Sequence, residues 1–230
     1  MGKVKKYGGS SLITADQVSC IASNIEAGDV VVLSAPYGRT DELYQRFRHF
    51  SSSEARNRAL AVGELESCYA MQLALAERSV KSEIMSFDNM GLVANQLHGG
   101  CVVKAQPDKI KENVANGIVS IVPGFQAKTE TNQLAILSRG GSDETAVHLA
   151  IALQLACYIY SDVTHIYDSD MNNLECITYQ SLLQLLDGQR PMNKRAVEVA
   201  QQYNHPIYFG HWRQSEPGTY IGPKAHAALS

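Results

Sequence analysis

The chain has 230 residues, 45% of them hydrophobic and 19% charged. Such a length buries roughly 70–75% of the surface of the unfolded chain, and the composition excludes disordered and fibrous proteins. A net charge of −3 gives no global pull toward nucleic acid or an anionic membrane, and no apolar run reaches the roughly 20 residues that span a bilayer. Neither is an expected partner, so any anion must be held by a local site. The start, MGKVKKYGGSS, is basic but has no apolar segment and does not read as a signal peptide. Cys20, Cys68, Cys101, Cys157 and Cys176 are scattered, odd in number and free of CxxC spacing. No zinc site or disulfide framework is expected, and a reducing cytoplasm is the natural compartment. The seven histidines are equally scattered and suggest no metal site.

Short apolar runs alternate with longer amphipathic ones. Strands are predicted at Val4–Lys6, Val30–Ser34, Ile84–Phe87, Cys101–Lys104, Ile118–Val122, Leu134–Leu137, Cys157–Ser161 and Ile207–Phe209. The run VVVL at 30–33 suits a strand covered on both faces. Helical spacing joins Val18, Ile21, Ala22 and Ile25. Further helices are predicted at 60–76, at 142–155 with a Ser or Asp cap, at 181–186 and at 193–203. The triplet Ser51-Ser52-Ser53 reads as a connection between two helical stretches. This alternation predicts an α/β fold with a mostly parallel sheet, and no linker divides the chain into independent domains.

Two glycine pairs stand out. Lys6-Tyr7-Gly8-Gly9-Ser10-Ser11 follows a predicted strand, and Ser138-Arg139-Gly140-Gly141-Ser142-Asp143 lies between a predicted strand and a predicted helix. Glycines let a backbone approach an anion, successive amides form a nest, and a helix N-terminus adds partial positive charge. A tight strand-to-helix turn is the ordinary reading of a single such pair. Two of them, each beside a basic residue, point to a phosphate or carboxylate site. Neither matches the GxxxxGK[ST] or GxGxxG patterns.

These residues resemble the aspartate kinases of the amino-acid kinase superfamily. KYGGSS is similar to their opening KFGG[ST]S, and SRGGSDETAVHLAIAL to their GRGGSD-x-[ST]-A helix start. Further matches follow in order: Ser34 through Asp41, Gly63-Glu64, Val122-Pro123-Gly124-Phe125, Ser161-Asp162-Val163 through Tyr167 and Asp170, Ala196-Val197-Glu198, and Gly218-Thr219. The resemblance covers essentially the whole chain. It implies a three-layer αβα sandwich with an acceptor-binding lobe at about 1–125 and a nucleotide-binding lobe at about 126–230. It implies phosphoryl transfer from ATP to the side-chain carboxylate of L-aspartate, with Mg2+ carried mainly on the ATP phosphates. A homodimer is the expected assembly.

The same resemblance assigns roles. Lys6, with the amides of Gly8 and Gly9, would cover the transferring phosphoryl group, and Asp143 would orient Lys6 or the substrate amine. Arg139 would bind a substrate carboxylate, Glu64 the ammonium, and Ser34 and Thr40 the reacting carboxylate, with Ser142 beside them. Ser10, Ser161, Asp162, Tyr167 and Arg190 would serve the nucleotide. Plainer readings stand beside these. Lys6 is one of three nearby lysines, Glu64 suits a helix first turn, Ser142 and Asp143 suit a cap, and Tyr167 suits a core.

Four features depart from the family pattern. His165 stands where a glycine is usual, Met171-Asn172 stand where Pro-Arg is usual, Arg190 replaces a lysine, and the stretch between Thr40 and Gly63 is short. The first three touch the ATP side and keep open the reading of a weakly catalytic binding or partner subunit, while Pro36, Tyr37 and Arg39, in the loop that should meet the acceptor, keep open a kinase for another amino acid or small carboxylate. Only a short tail follows Gly218-Thr219, so no regulatory ACT module, and no feedback control through one, is expected.

Overall fold

The computed structural model describes residues 2–51, 53–186, 191–214 and 216–224. In chain order the first elements are β1 (Val4–Tyr7), a short 3-10 turn (Gly9–Ser11), α1 (Ala15–Ala22), β2 (Val30–Leu33), α2 (Arg39–Phe47), α3 (Glu54–Leu60) and α4 (Val62–Glu77). There follow β3 (Ser82–Ile84), β4 (Leu92–Ala94), β5 (His98–Gly100), β6 (Val102–Ala105), α5 (Asp108–Ala115), β7 (Val119–Pro123), β8 (Gln126–Lys128), β9 (Leu134–Leu137) and α6 (Gly141–Leu153). The remainder is β10 (Cys157–Ser161), β11 (Ile166–Tyr167), β12 (Asn173–Leu174), β13 (Cys176–Thr178), α7 (Tyr179–Leu185), α8 (Lys194–Gln202), β14 (Ile207–His211) and β15 (Thr219–Gly222).

The main sheet has eight strands in the order β13-β15-β14-β10-β1-β2-β7-β3. Its neighbours are parallel except for β14 and β15. The VVVL run shows why the sheet is a middle layer. Val30 and Val32 pack with Ala146, Val147 and Val197 of α6 and α8, whereas Val31 and Leu33 pack with Ile21, Met71 and Leu75 of α1 and α4. All four are fully buried, as an apolar strand between two helical layers must be. The expected three-layer α/β architecture is therefore present. Among the described residues no helix is long and apolar enough to cross a membrane.

A second sheet, in the order β5-β9-β8-β4-β6, was only partly predicted. Its short strands carry residues such as His98-Gly99-Gly100 and Gln126-Ala127-Lys128, which lack the apolar runs that mark the main sheet. Strand β3 starts two residues before the predicted Ile84, and α5 was missed because Pro107 gives it no side-chain cap. The Ser or Asp cap expected for α6 is not formed: its N-cap is Gly140, with no side-chain cap bond, and Ser142 and Asp143 lie inside the first turn. Thr14 and Gln17 form a capping box on α1, and Ser53 accepts from the Arg56 amide to start α3.

Strand β1 lies at the centre, with β2 on one side and β10 on the other. The carboxyl ends of these parallel strands release the loops at 8–11, 34–38 and 161–165 to one edge of the sheet. Such a reversal of strand order is where open α/β sheets bind ligands. The β9–α6 turn, with Arg139-Gly140-Gly141, comes to the same cleft because α6 packs across β1, β2 and β10.

Candidate active site

Alternation along β1 separates the two lysines that precede the first glycine pair. Lys5 turns to the α1 side, pairing with buried Asp29 at 2.7 Å and donating to the Asn24 carbonyl at 2.6 Å. Lys6 turns to the α6 side, where its Nζ lies 2.6 Å from Asp143 Oδ1. The Lys6 and Asp143 side chains are only 12% and 7% exposed, so water does little to screen the pair. The second oxygen of Asp143 accepts from the Asn193 backbone N–H at 2.8 Å, and Asn193 Nδ2 donates to the Arg139 carbonyl at 2.7 Å. Sequence reasoning passed over Asn193. Its one local signal was its place as first residue of the helix predicted at 193–203, whereas in the structure it precedes α8 and caps it by accepting from the Ala196 amide.

Above this pair opens a cleft of about 340 Å³. Lys6, Gly9, Ser34, Thr40, Glu64, Arg139 and Ser142 all line it, so residues distant in sequence meet in one space. Two glycines make the crowding feasible. A Cβ on Gly9 would lie 2.4 Å from the Ala35 carbonyl oxygen, and one on Gly63 would lie 2.8 Å from the Ala35 Cβ. The first contact presses the β1 loop onto the β2 loop, where the Tyr37 amide donates to the Gly9 carbonyl at 3.0 Å. The second brings the start of α4, and with it Glu64, against the wall of the cleft.

Glu64 is 2% exposed, and its Oε2 has no hydrogen-bond partner among the described residues. Burial pushes its carboxyl up to about 8, against backbone N–H groups of Glu64 and Ala35 that favour the ionised form. A buried carboxyl with an unsatisfied oxygen at a cleft wall is suited to receive a cation.

The rim differs. The Arg139 side chain is 74% exposed, and its Nη2 donates to Asp41 Oδ1 at 2.5 Å across the mouth of the cleft. Arg39 is held by Glu66 at 2.7 Å and Glu42 at 2.8 Å, which raises its pKa further. Tyr37, Asp41, Tyr44 and Phe125 are also in the lining, and the last three had not been singled out as site residues.

Of the residues expected on the nucleotide side, Gly9 lines the cleft, whereas Gly8, Ser10, Ser161, Asp162 and Tyr167 are not part of its lining. The Gly8 amide donates to the Tyr160 carbonyl at 3.3 Å, and Ser10 sits in the 3-10 turn. Ser161 ends β10 and donates to Asp162 Oδ1 at 3.0 Å. Tyr167 is half-buried in β11 and pairs with Asn173. Met171-Asn172 belong to a turn closed by Asp168, whose Oδ1 accepts from the Asp170 and Asn172 amides at 2.9 Å. Arg190 lies outside the described residues.

Residues 1–211 match the model of the amino acid kinase family. The chain belongs to that family. Among curated members it is 30% identical to the aspartokinase of Geobacillus stearothermophilus, over 95% of this chain and 58% of the relative. It is 32% identical to the aspartokinase of Corynebacterium glutamicum, over 95% of this chain and 56% of the relative. The chain thus spans a little over half the length of these relatives. The Synechocystis aspartate kinase structure superposes with a TM-score of 0.81 at 28% identity, over the whole of this chain and 41% of the other. The E. coli aspartokinase III structure, in complex with aspartate and ADP, gives 0.81 at 20% identity over 99% of this chain and 66% of the other. These superpositions place the amino-acid kinase fold on this chain.

Proposed function

We propose that the chain transfers the γ-phosphoryl group of ATP to the side-chain carboxylate of L-aspartate. A carboxylate oxygen attacks the γ-phosphorus, the bond to the ADP oxygen breaks, and an acyl phosphate and ADP leave. The acceptor, with a reference pKa of about 3.9, is already ionised near pH 7 and needs no general base. It does need cover for two approaching anions. Lys6, held at 2.6 Å from Asp143, is the cation placed to give it.

The observation that carries the reading is the arrangement of a buried ammonium, a buried carboxyl and an exposed guanidinium around one cleft. Lys6 stands at the floor, the unsatisfied Glu64 carboxyl at one wall and the Arg139 guanidinium at the rim. Floor, wall and rim match the reacting carboxylate, ammonium and α-carboxylate of an amino-dicarboxylic acid. The E. coli structure with aspartate and ADP, and the curated aspartokinases, support the choice of aspartate and ATP. In this reading residues 1–125 supply most of the acceptor lobe, and residues 126–230 the nucleotide lobe with Ser161, Asp162 and Tyr167. Mg2+ arrives on the phosphates.

An ATP-dependent hydroxamate assay across a panel of amino acids tests this. Aspartate should give hydroxamate well above glutamate, and a panel without an aspartate signal would overturn the reading.

A further inference from the structure

We propose that Asn193 is a positioning residue that holds the Lys6–Asp143 pair and the Arg139 turn in one geometry. The inference rests on the aspartate-kinase reading and adds a residue to its machinery. Asn193 is 3% exposed, and among its bonds are three that tie the site to α8. Its backbone N–H donates to Asp143 Oδ2 at 2.8 Å, its Nδ2 donates to the Arg139 carbonyl at 2.7 Å, and its Oδ1 accepts from the Ala196 amide at 3.2 Å.

Each bond does a different job. The bond to Ala196 fixes the first turn of α8 and so aims the Asn193 N–H. That N–H occupies one Asp143 oxygen, which leaves the other facing Lys6 at 2.6 Å. A carboxylate held at both oxygens cannot rotate without breaking a buried charge-assisted bond. The Nδ2 bond fastens the start of the turn whose far end carries Asp143. Glu144, one residue on, repeats the link, since its Oε1 lies 3.4 Å from Arg195 Nε. The turn between β9 and α6 is therefore set by a helix start 50 and 54 residues away in sequence. The consequence falls on turnover. Lys6 must meet the phosphoryl group within a narrow geometry, and a displacement of about 1 Å can cost 10²-fold.

Two variants separate positioning from capping. Asn193→Ser keeps a capping hydroxyl but is too short for the Arg139 carbonyl. Asn193→Asp keeps the shape and the cap but puts an acceptor where the donor was. Both should fold with a melting transition near that of the parent. Both should lower kcat with aspartate about tenfold or more, with KM for aspartate and ATP within about twofold. Amide hydrogen exchange across residues 138–145 should quicken while β1 and β2 keep their protection. A parent-like kcat overturns the proposal even if exchange quickens, because Asn193 would then be a cap alone. A change confined to KM overturns it too. If the parent chain transfers nothing to aspartate, the functional reading fails separately, and unchanged exchange at 138–145 then overturns the positioning claim by itself.

Discussion

The floor and the rim of the cleft use the same chemistry in opposite environments. Lys6 and Asp143 meet at 2.6 Å with side chains 12% and 7% exposed, and Arg139 and Asp41 meet at 2.5 Å with side chains 74% and 63% exposed. The floor pair is oriented by a backbone N–H from α8, while the rim pair stands in water. Exposed pairs contribute about 0–1 kcal/mol, whereas breaking a buried one by removing a partner costs roughly 3–5 kcal/mol. Under the proposed function this difference divides the tasks: a fixed, dry cation would serve the reacting centre, and a loosely held guanidinium would exchange Asp41 for a substrate carboxylate.

The largest effect should come from the floor. Lys6→Ala should lower kcat by about 10²-fold or more, as loss of a buried electrostatic donor does. Asp143 keeps its bond from Asn193, so the chain should still fold, with a lower melting temperature. A Lys6→Ala protein of normal turnover would move the chemistry away from the floor.

Next comes the wall. Glu64→Gln should raise KM for aspartate roughly 10- to 100-fold through the lost charge-assisted bond to the ammonium, with kcat less affected. The same variant should be the more stable protein above neutrality. The folded carboxyl titrates at about 8 and an unfolded one near 4.5. The folded state therefore holds the extra proton between those values, and stability falls as pH rises through that window. Replacing the carboxyl removes this slope. Each kcal/mol recovered should add about 2–4 °C to the melting temperature of a chain this size. Melting curves at pH 6 and 8.5 check the sign, and a parent with no loss over that range would contradict the burial of Glu64.

The rim should give smaller changes. Arg139→Lys should raise KM for aspartate by roughly fivefold with kcat nearly intact, since an ammonium cannot reproduce the planar fork. Loss of ATP affinity with aspartate unaffected would reverse the two lobes. Smallest of all, Arg39→Ala breaks exposed bonds to Glu42 and Glu66 and should shift stability by less than about 1 kcal/mol. A large shift there would mean that the rim is less solvated than the floor-and-rim contrast requires.

Much of the floor was legible in the sequence. Val30–Leu33 and Leu134–Leu137 are apolar runs that can only be buried strands, and the structure shows both. Lys6 was distinguishable from Lys5 because a strand alternates sides, and the two lysines do find different partners. The two glycine pairs marked tight turns, and Gly9 proves to be packed against Ala35 too closely for any side chain. The second sheet was less visible, since β5 and β8 are short and mix polar residues with glycine. The Asp41–Arg139 and Asn193–Asp143 bonds were invisible, because their partners lie 98 and 50 residues apart and no local pattern couples them. Sequence periodicity reports which face of an element is buried. It does not report which two elements meet.

The most direct test of the proposed chemistry follows an oxygen atom. Aspartate carrying 18O in its side-chain carboxylate is turned over with ATP in the presence of hydroxylamine. Hydroxylamine attacks the acyl carbon, so the bridging oxygen leaves with phosphate. The 31P resonance of inorganic phosphate should then show the small upfield shift of a single 18O. Unlabelled phosphate, with ATP consumed, would show that phosphoryl transfer to the aspartate side chain does not occur in this cleft.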